Sequence, residues 1–99
     1  MLHIVNKSPY QSTTLASCLR LLQPGHSLLL IEDAVYAADG AGSQQAVLQQ
    51  AASRAKVYAL KPDVDARGLS QRVMENVTLI DYSGFVNLVA ETSTSHSWL

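Results

Sequence analysis

Most of the residue types that advertise a chemistry are scarce in this sequence. Its 99 residues contain one cysteine, Cys18, which excludes an intramolecular disulfide and a zinc centre built on cysteines. Charge is sparse as well. Asp, Glu, Lys and Arg together make up 15% of the chain, against about one quarter in ordinary soluble domains. The basic residues (Lys7, Arg20, Arg54, Lys56, Lys61, Arg67 and Arg72) are scattered, and the net charge is −1. That distribution lacks the clustered cationic face that neutralises phosphates, so no direct binding of nucleic acid is expected. No apolar run approaches the ~20 residues of a membrane helix, and no basic segment followed by an apolar one opens the chain. A soluble, cytoplasmic protein with no membrane association is expected.

Motifs for cofactors and metals are missing too. Gly40-Ala41-Gly42 has two of the three glycines of a dinucleotide loop and follows the second strand-like run after a gap. There is no phosphate-binding P-loop, and no spacing suggests a Ser/His/Asp constellation. His3, His26 and His96 have no partners at metal-ligand spacing. His3 lies inside a strand-like run and reads as a core or interface residue. No cofactor and no metal are expected.

What the chain does have is apolar residues, 47% of the total, arranged in short runs. Leu2–Asn6, Leu28–Glu32, Lys56–Leu60 and Val77–Ile80 are too short for helices and close to continuously apolar, the pattern of strands covered on both faces in a parallel sheet. Between them lie helical segments. Ser12 or Thr13 is placed to cap a helix with the stripe Leu15, Cys18, Leu19 and Leu22, which Pro24-Gly25 ends. Ser43 is placed to cap a second helix with Leu48, Ala51, Ala52 and Ala55 on its apolar side. Asp33 opens a short segment over Ala34–Ala38, and Asp63 caps a turn of helix that Gly68 closes. Asp81 caps a last helix whose stripe is Tyr82, Phe85, Val86 and Val89. The tail, Thr92–Leu99, is polar up to Trp98-Leu99 and suits either a short edge strand or a frayed end. Strand alternating with helix predicts one α/β domain over residues 1–99, with right-handed crossovers. The apolar surplus predicts a subunit that buries part of its surface against partners.

In such sheets ligands sit beyond the carboxyl ends of the strands. That rim is formed by Lys7-Ser8, Glu32-Asp33, Lys61–Asp63 and Asp81–Ser83. Its acids have the hard oxygens of a magnesium or phospho-acceptor pocket, yet the same aspartates are natural helix caps. A phospho-acceptor domain would also carry paired acids after the first strand, where this chain has Asn6-Lys7. Cys18 has two readings: a small hydrophobe in the core, or a nucleophilic thiol. A reactive thiol needs a helix N-terminus or a nearby cation to populate the thiolate. Cys18 lies past the first helical turn, and Arg20, two positions on, points to another face.

Several blocks of the chain, in order, resemble the TusB/DsrH family. They are Leu2-His3-Ile4-Val5-Asn6-Lys7-Ser8-Pro9, Leu29-Leu30-Ile31-Glu32-Asp33-Ala34-Val35-Tyr36-Ala37-Ala38, Val57-Tyr58-Ala59-Leu60, Ala66-Arg67-Gly68-Leu69, Ile80-Asp81-Tyr82-Ser83-Gly84-Phe85-Val86 and Trp98. The resemblance implies a three-layer α/β/α sandwich on a small parallel sheet of four to five strands, with the C-terminal stretch as a fifth strand beside the first. It implies a subunit of a heterohexameric sulfur-relay complex, acting in thiolation of the tRNA wobble uridine or in dissimilatory sulfur oxidation. The implied partners are homologous TusC/DsrF-like and TusD/DsrE-like subunits and a downstream TusE/DsrC-like acceptor. In the family the acknowledged sulfur-carrying cysteine belongs to the TusD/DsrE subunit, which makes this chain an accessory subunit. DsrH-type chains carry a cysteine at the place Cys18 occupies, so the resemblance also implies an alternative in which Cys18 itself carries persulfide. The residues alone leave a further alternative, a stand-alone domain binding phosphate or nucleotide at the polar rim.

Overall fold

A computed structural model describes residues 1–98. Leu99, the last residue of the expected tail strand, lies outside them. Five strands form one parallel sheet in the order β4-β3-β2-β1-β5: β1 (Leu2–Val5), β2 (Ser27–Leu30), β3 (Lys56–Leu60), β4 (Val77–Ile80) and β5 (Ser95–Trp98). The helices are α1 (Thr14–Leu21), α2 (Gln45–Ala52), α3 (Lys61–Ala66) and α4 (Tyr82–Glu91), with a 3₁₀ helix over Glu32–Ala38. The tail is therefore a strand: His3 pairs with His96, and Val5 with Trp98.

Side-chain alternation along the strands divides the interior in two. One face contributes Val5, Leu28, Leu30, Val57, Ala59 and Val77, packed under Leu15 and Cys18 of α1 and Leu22 just after it, Leu48 and Ala51 of α2, Val64 of α3 and the alanines of the 3₁₀ helix. The other face contributes Leu2, Ile4 and Leu29, packed under Phe85 and Leu88. Helix α4 is the helix of that second layer. This is the expected α/β/α sandwich, with its layers of unequal thickness. Among the described residues no helix is long and apolar enough to cross a membrane.

Several local expectations are corrected. Neither Ser12 nor Ser43 is the N-cap residue of its helix. Thr13 occupies the cap of α1 without a side-chain bond, and the Ser12 hydroxyl accepts instead from the Thr14 N–H at 3.2 Å. Helix α2 starts at Gln45, because Gly42 is still in a turn that accepts from the Gln45 N–H. Asp63 sits inside the first turn of α3, after Leu60 as cap. Asp81 does cap α4, its Oδ1 accepting from the Gly84 N–H at 2.8 Å. The stripe of α4 is rotated from the expected one. Phe85 and Leu88 face the sheet, whereas Tyr82, Val86 and Val89 are 60%, 66% and 39% exposed. The apolar arc of α4, from Leu88 through Phe85 to Val86, is wider than the face the sheet can cover, so periodicity does not fix which part is buried, and packing decided it.

Candidate functional site

Of the expected carboxyl rim the structure brings together Glu32, Asp33 and Asp63, joined by Asn6 and Arg67, around an unusual backbone. Ser8 instead bonds Tyr10, Lys61 bonds Asp65 and Asp81 bonds Gly84. Ile31 extends β2 by one more ladder bond, its N–H donating to Val5 O at 3.0 Å. Glu32 then turns the chain with φ of +49°, a left-handed conformation that costs a non-glycine residue of order 1–2 kcal/mol. The turn lets Ile31 O accept from the Ala34 N–H at 3.0 Å and start the 3₁₀ helix at once. Two contacts hold Glu32 there. Its N–H donates to Asp63 Oδ2 at 2.7 Å, and its Oε2 accepts from Asn6 Nδ2 at 3.2 Å. Asp63 thus ties α3 to the end of β2 rather than capping its own helix. Arg67 closes the cluster, bonding Asp33 Oδ1 through Nε at 3.0 Å and Asp63 O through Nη1 at 3.1 Å. Asn6 Oδ1 is buried, and no protein donor among the described residues reaches it.

This arrangement is a brace between three strand ends. Arg67 is committed to Asp33 and Asp63, and Lys61 to Asp65 at 2.7 Å. A phosphate would meet Glu32, Asp33 and Asp63 with both of those cations already taken. No group of three or more His, Cys, Asp or Glu side chains among the described residues is placed to hold a metal ion.

Cys18 lies under α1 with no exposed surface, in the same cluster as Val5, Leu15, Leu22 and Leu28. Burial pushes its thiol up to about 11, because the thiolate loses its hydration and gains no cation in exchange.

The histidines, by contrast, come together, which their spacing in sequence gave no means to foresee. Pro24-Gly25 forms a tight turn in which Gly25 takes φ of +88° and Gln23 O accepts from the His26 N–H at 3.0 Å, the type II geometry that proline followed by glycine favours. The turn aims His26 at His3, Nδ1 to Nε2, at 3.0 Å. On the other side Trp98 Nε1 donates to His3 Nδ1 at 3.1 Å, and the His96 ring lies 4.7 Å from the indole, centroid to centroid. His3 itself is 2% exposed.

Comparisons with known proteins agree with this architecture. Residues 7–95 match the family model described as "DsrH like protein". The chain belongs to the DsrH/TusB family. It is 38% identical over 98 residues to Protein TusB of Pectobacterium parmentieri and 41% identical to Protein TusB of an Escherichia coli strain, covering 99% of this chain and 100% of each relative. Among solved structures, the YchN protein of E. coli superposes with a TM-score of 0.78 at 22% identity, covering 97% of both chains. A protein of unknown function from Methanobacterium thermoautotrophicum gives 0.75 at 13% identity, covering 97% of this chain and 95% of the other. These two likenesses carry the fold alone.

Proposed function

We propose that this chain is an accessory subunit of a cytoplasmic sulfur-relay complex, a heterohexamer in which homologous TusC- and TusD-like subunits are its partners and a TusE-like protein accepts the sulfur. The observation that carries the proposal is the outer face of α4. Tyr82, Val86 and Val89 form an apolar stripe, exposed in this chain, at positions i, i+4 and i+7 of a helix whose adjoining flank, Phe85 and Leu88, packs on the sheet. The apolar arc of α4 is wider than the sheet covers, with Ser83, Asn87 and Glu91 on the remaining polar side, and an apolar strip left outside a small domain marks a contact surface. The end-to-end match with TusB chains supports sister subunits as the cover of that surface. It also favours the tRNA-thiolation branch over sulfur oxidation, the branch toward which Cys18 leans.

In this reading the chain's work is assembly, and Cys18 is a packing residue in the free subunit. At a value of about 11, on the order of one thiol in several thousand is ionised at pH 7.5. The carrier role that DsrH-type chains suggest for Cys18 would require α1 to lift off the sheet. The polar rim braces strand ends, which gives the phosphate-binding alternative no support.

Co-expression with the two sister subunits tests the proposal. A complex that co-purifies and runs as a hexamer on size exclusion is expected; a stable monomer that ignores both sisters refutes it. Mass spectrometry after incubation with a persulfide donor tests Cys18 separately. An added sulfur on the Cys18 peptide of the folded chain, absent in Cys18→Ser, would restore the carrier role.

A further inference from the structure

The contact between Trp98, His3 and His26 defines more than packing. The indole N–H can only donate, so His3 Nδ1 must accept from it at 3.1 Å. A neutral His3 then carries its proton on Nε2, which faces His26 Nδ1 at 3.0 Å. His26 Nδ1 in turn accepts, and does so twice, since the Gln23 N–H also reaches it at 3.3 Å. The chain of donors therefore runs from Trp98 to His3 to His26, with every proton position fixed. Adding a proton to His3 puts it on a nitrogen that already faces a donor, Nδ1 against the indole N–H. The network does not accommodate the His3 imidazolium.

We propose that His3 and His26 form an acid-opened clasp that holds the C-terminal strand β5 on the sheet through Trp98. Among the described residues, few side chains hold strand β5 in place. Its Ser95, His96 and Ser97 are exposed, and Trp98 is the residue of the strand that reaches the core. Among the described residues, the rest of its attachment is the ladder with β1, the bond from the Leu2 N–H to Thr94 O at 2.9 Å, and a small contact with α1. Opening the clasp uncovers the edge of β1, a row of backbone donors and acceptors that another strand can pair with.

The groups around His3 all oppose its protonation. Burial comes first, followed by the charges of His26, His96 and the Met1 amino group, and together they hold His3 below its ordinary value of 6.5. From α1, Cys18 faces the core as a neutral thiol, and Arg20 turns to Ser17 Oγ. Arg54 and Lys56 line a hollow of about 460 Å³ together with His26 and add positive charge there. A histidine whose value is lowered in the closed state stabilises that state fully above 6.5. The stabilisation is lost as pH falls from 6.5 toward the lowered value, because the opened state takes up the proton.

The test uses the intact chain and its single tryptophan. Trp98 emission and amide hydrogen-exchange protection are followed from pH 8 to pH 5. Emission is expected to change below pH 6.5, and protection of the β5 amides to fall about tenfold per pH unit for each proton taken up, while β2 and β3 stay protected. Replacing both rings (His3→Gln with His26→Gln) should flatten the response, whereas His96→Gln should keep it. Should the double variant not fold, the imidazole ¹⁵N spectrum of the unmodified chain at pH 7.5 must show His3 protonated on Nε2. A flat emission and exchange profile, loss of protection in all strands together, a response that persists in the double variant or vanishes in His96→Gln, or the opposite His3 tautomer would each overturn the proposal.

Discussion

The burial of Cys18 makes a quantitative prediction about its reactivity. Desolvation raises the thiol from about 9 to about 11, so at pH 7.5 the folded chain holds roughly one hundredth of the thiolate of a free cysteine. A more basic thiolate is a better nucleophile, and a Brønsted slope near 0.4–0.5 returns about six- to tenfold of that loss. The electrostatic contribution alone therefore slows attack on a disulfide reagent about 10- to 15-fold. The absence of exposed surface at Cys18 multiplies this by the fraction of time that α1 is lifted away. Ellman's reagent at pH 7.5, with and without urea, measures the product of the two. Labelling should be far more than tenfold slower in the native chain than in the unfolded one. Cys18→Ser adds a second reading of the same environment. The hydroxyl finds itself among Val5, Leu15 and Leu22, where an unpaired one costs about 1–3 kcal/mol. At about 4–8 °C per kcal/mol for a domain of this size, the melting temperature should drop visibly. Native labelling within threefold of the unfolded rate, or a Cys18→Ser chain as stable as its parent, would refute the argument.

Three further substitutions examine other parts of the structure. Val86→Asp should change the stability of the free chain by no more than about 0.5 kcal/mol, because the site is two-thirds exposed, yet lower recovery of the co-expressed complex more than tenfold by placing an unpaired charge in the contact; pull-down yield and thermal melting separate the two effects. At the rim, Glu32→Gly should be more stable than Glu32→Ala by about 1 kcal/mol in urea denaturation, since both lose the Asn6 contact and only glycine adopts a φ of +49° without penalty. Asp81→Ala should cost about 1 kcal/mol through the lost cap bond to Gly84, and Asp81→Asn should recover most of it in the same assay.

What the sequence determined by itself is the alternation of elements and their chemistry at the ends. Short apolar runs, too brief for helices and lacking a polar face, specify strands buried on both sides, and four of them lie within one or two residues of the observed β1 to β4. Asp81 as a cap, and Gly25 and Gly68 as the points where the chain turns after α1 and α3, were legible because each answers a local backbone need, and both glycines take positive φ. The parts that escaped are those where a residue serves a partner distant in the chain. Asp63 has the look of a cap but is drawn 31 positions away to the Glu32 N–H. The outward turn of Tyr82, Val86 and Val89 is a choice of which part of one wide apolar arc to bury, and only the sheet could make it. The histidine pair bridges 23 positions, and the tryptophan contact 95. No periodicity reports such distances: they exist only once parallel pairing has laid β5 beside β1 and a proline-glycine turn has swung His26 over the same strand.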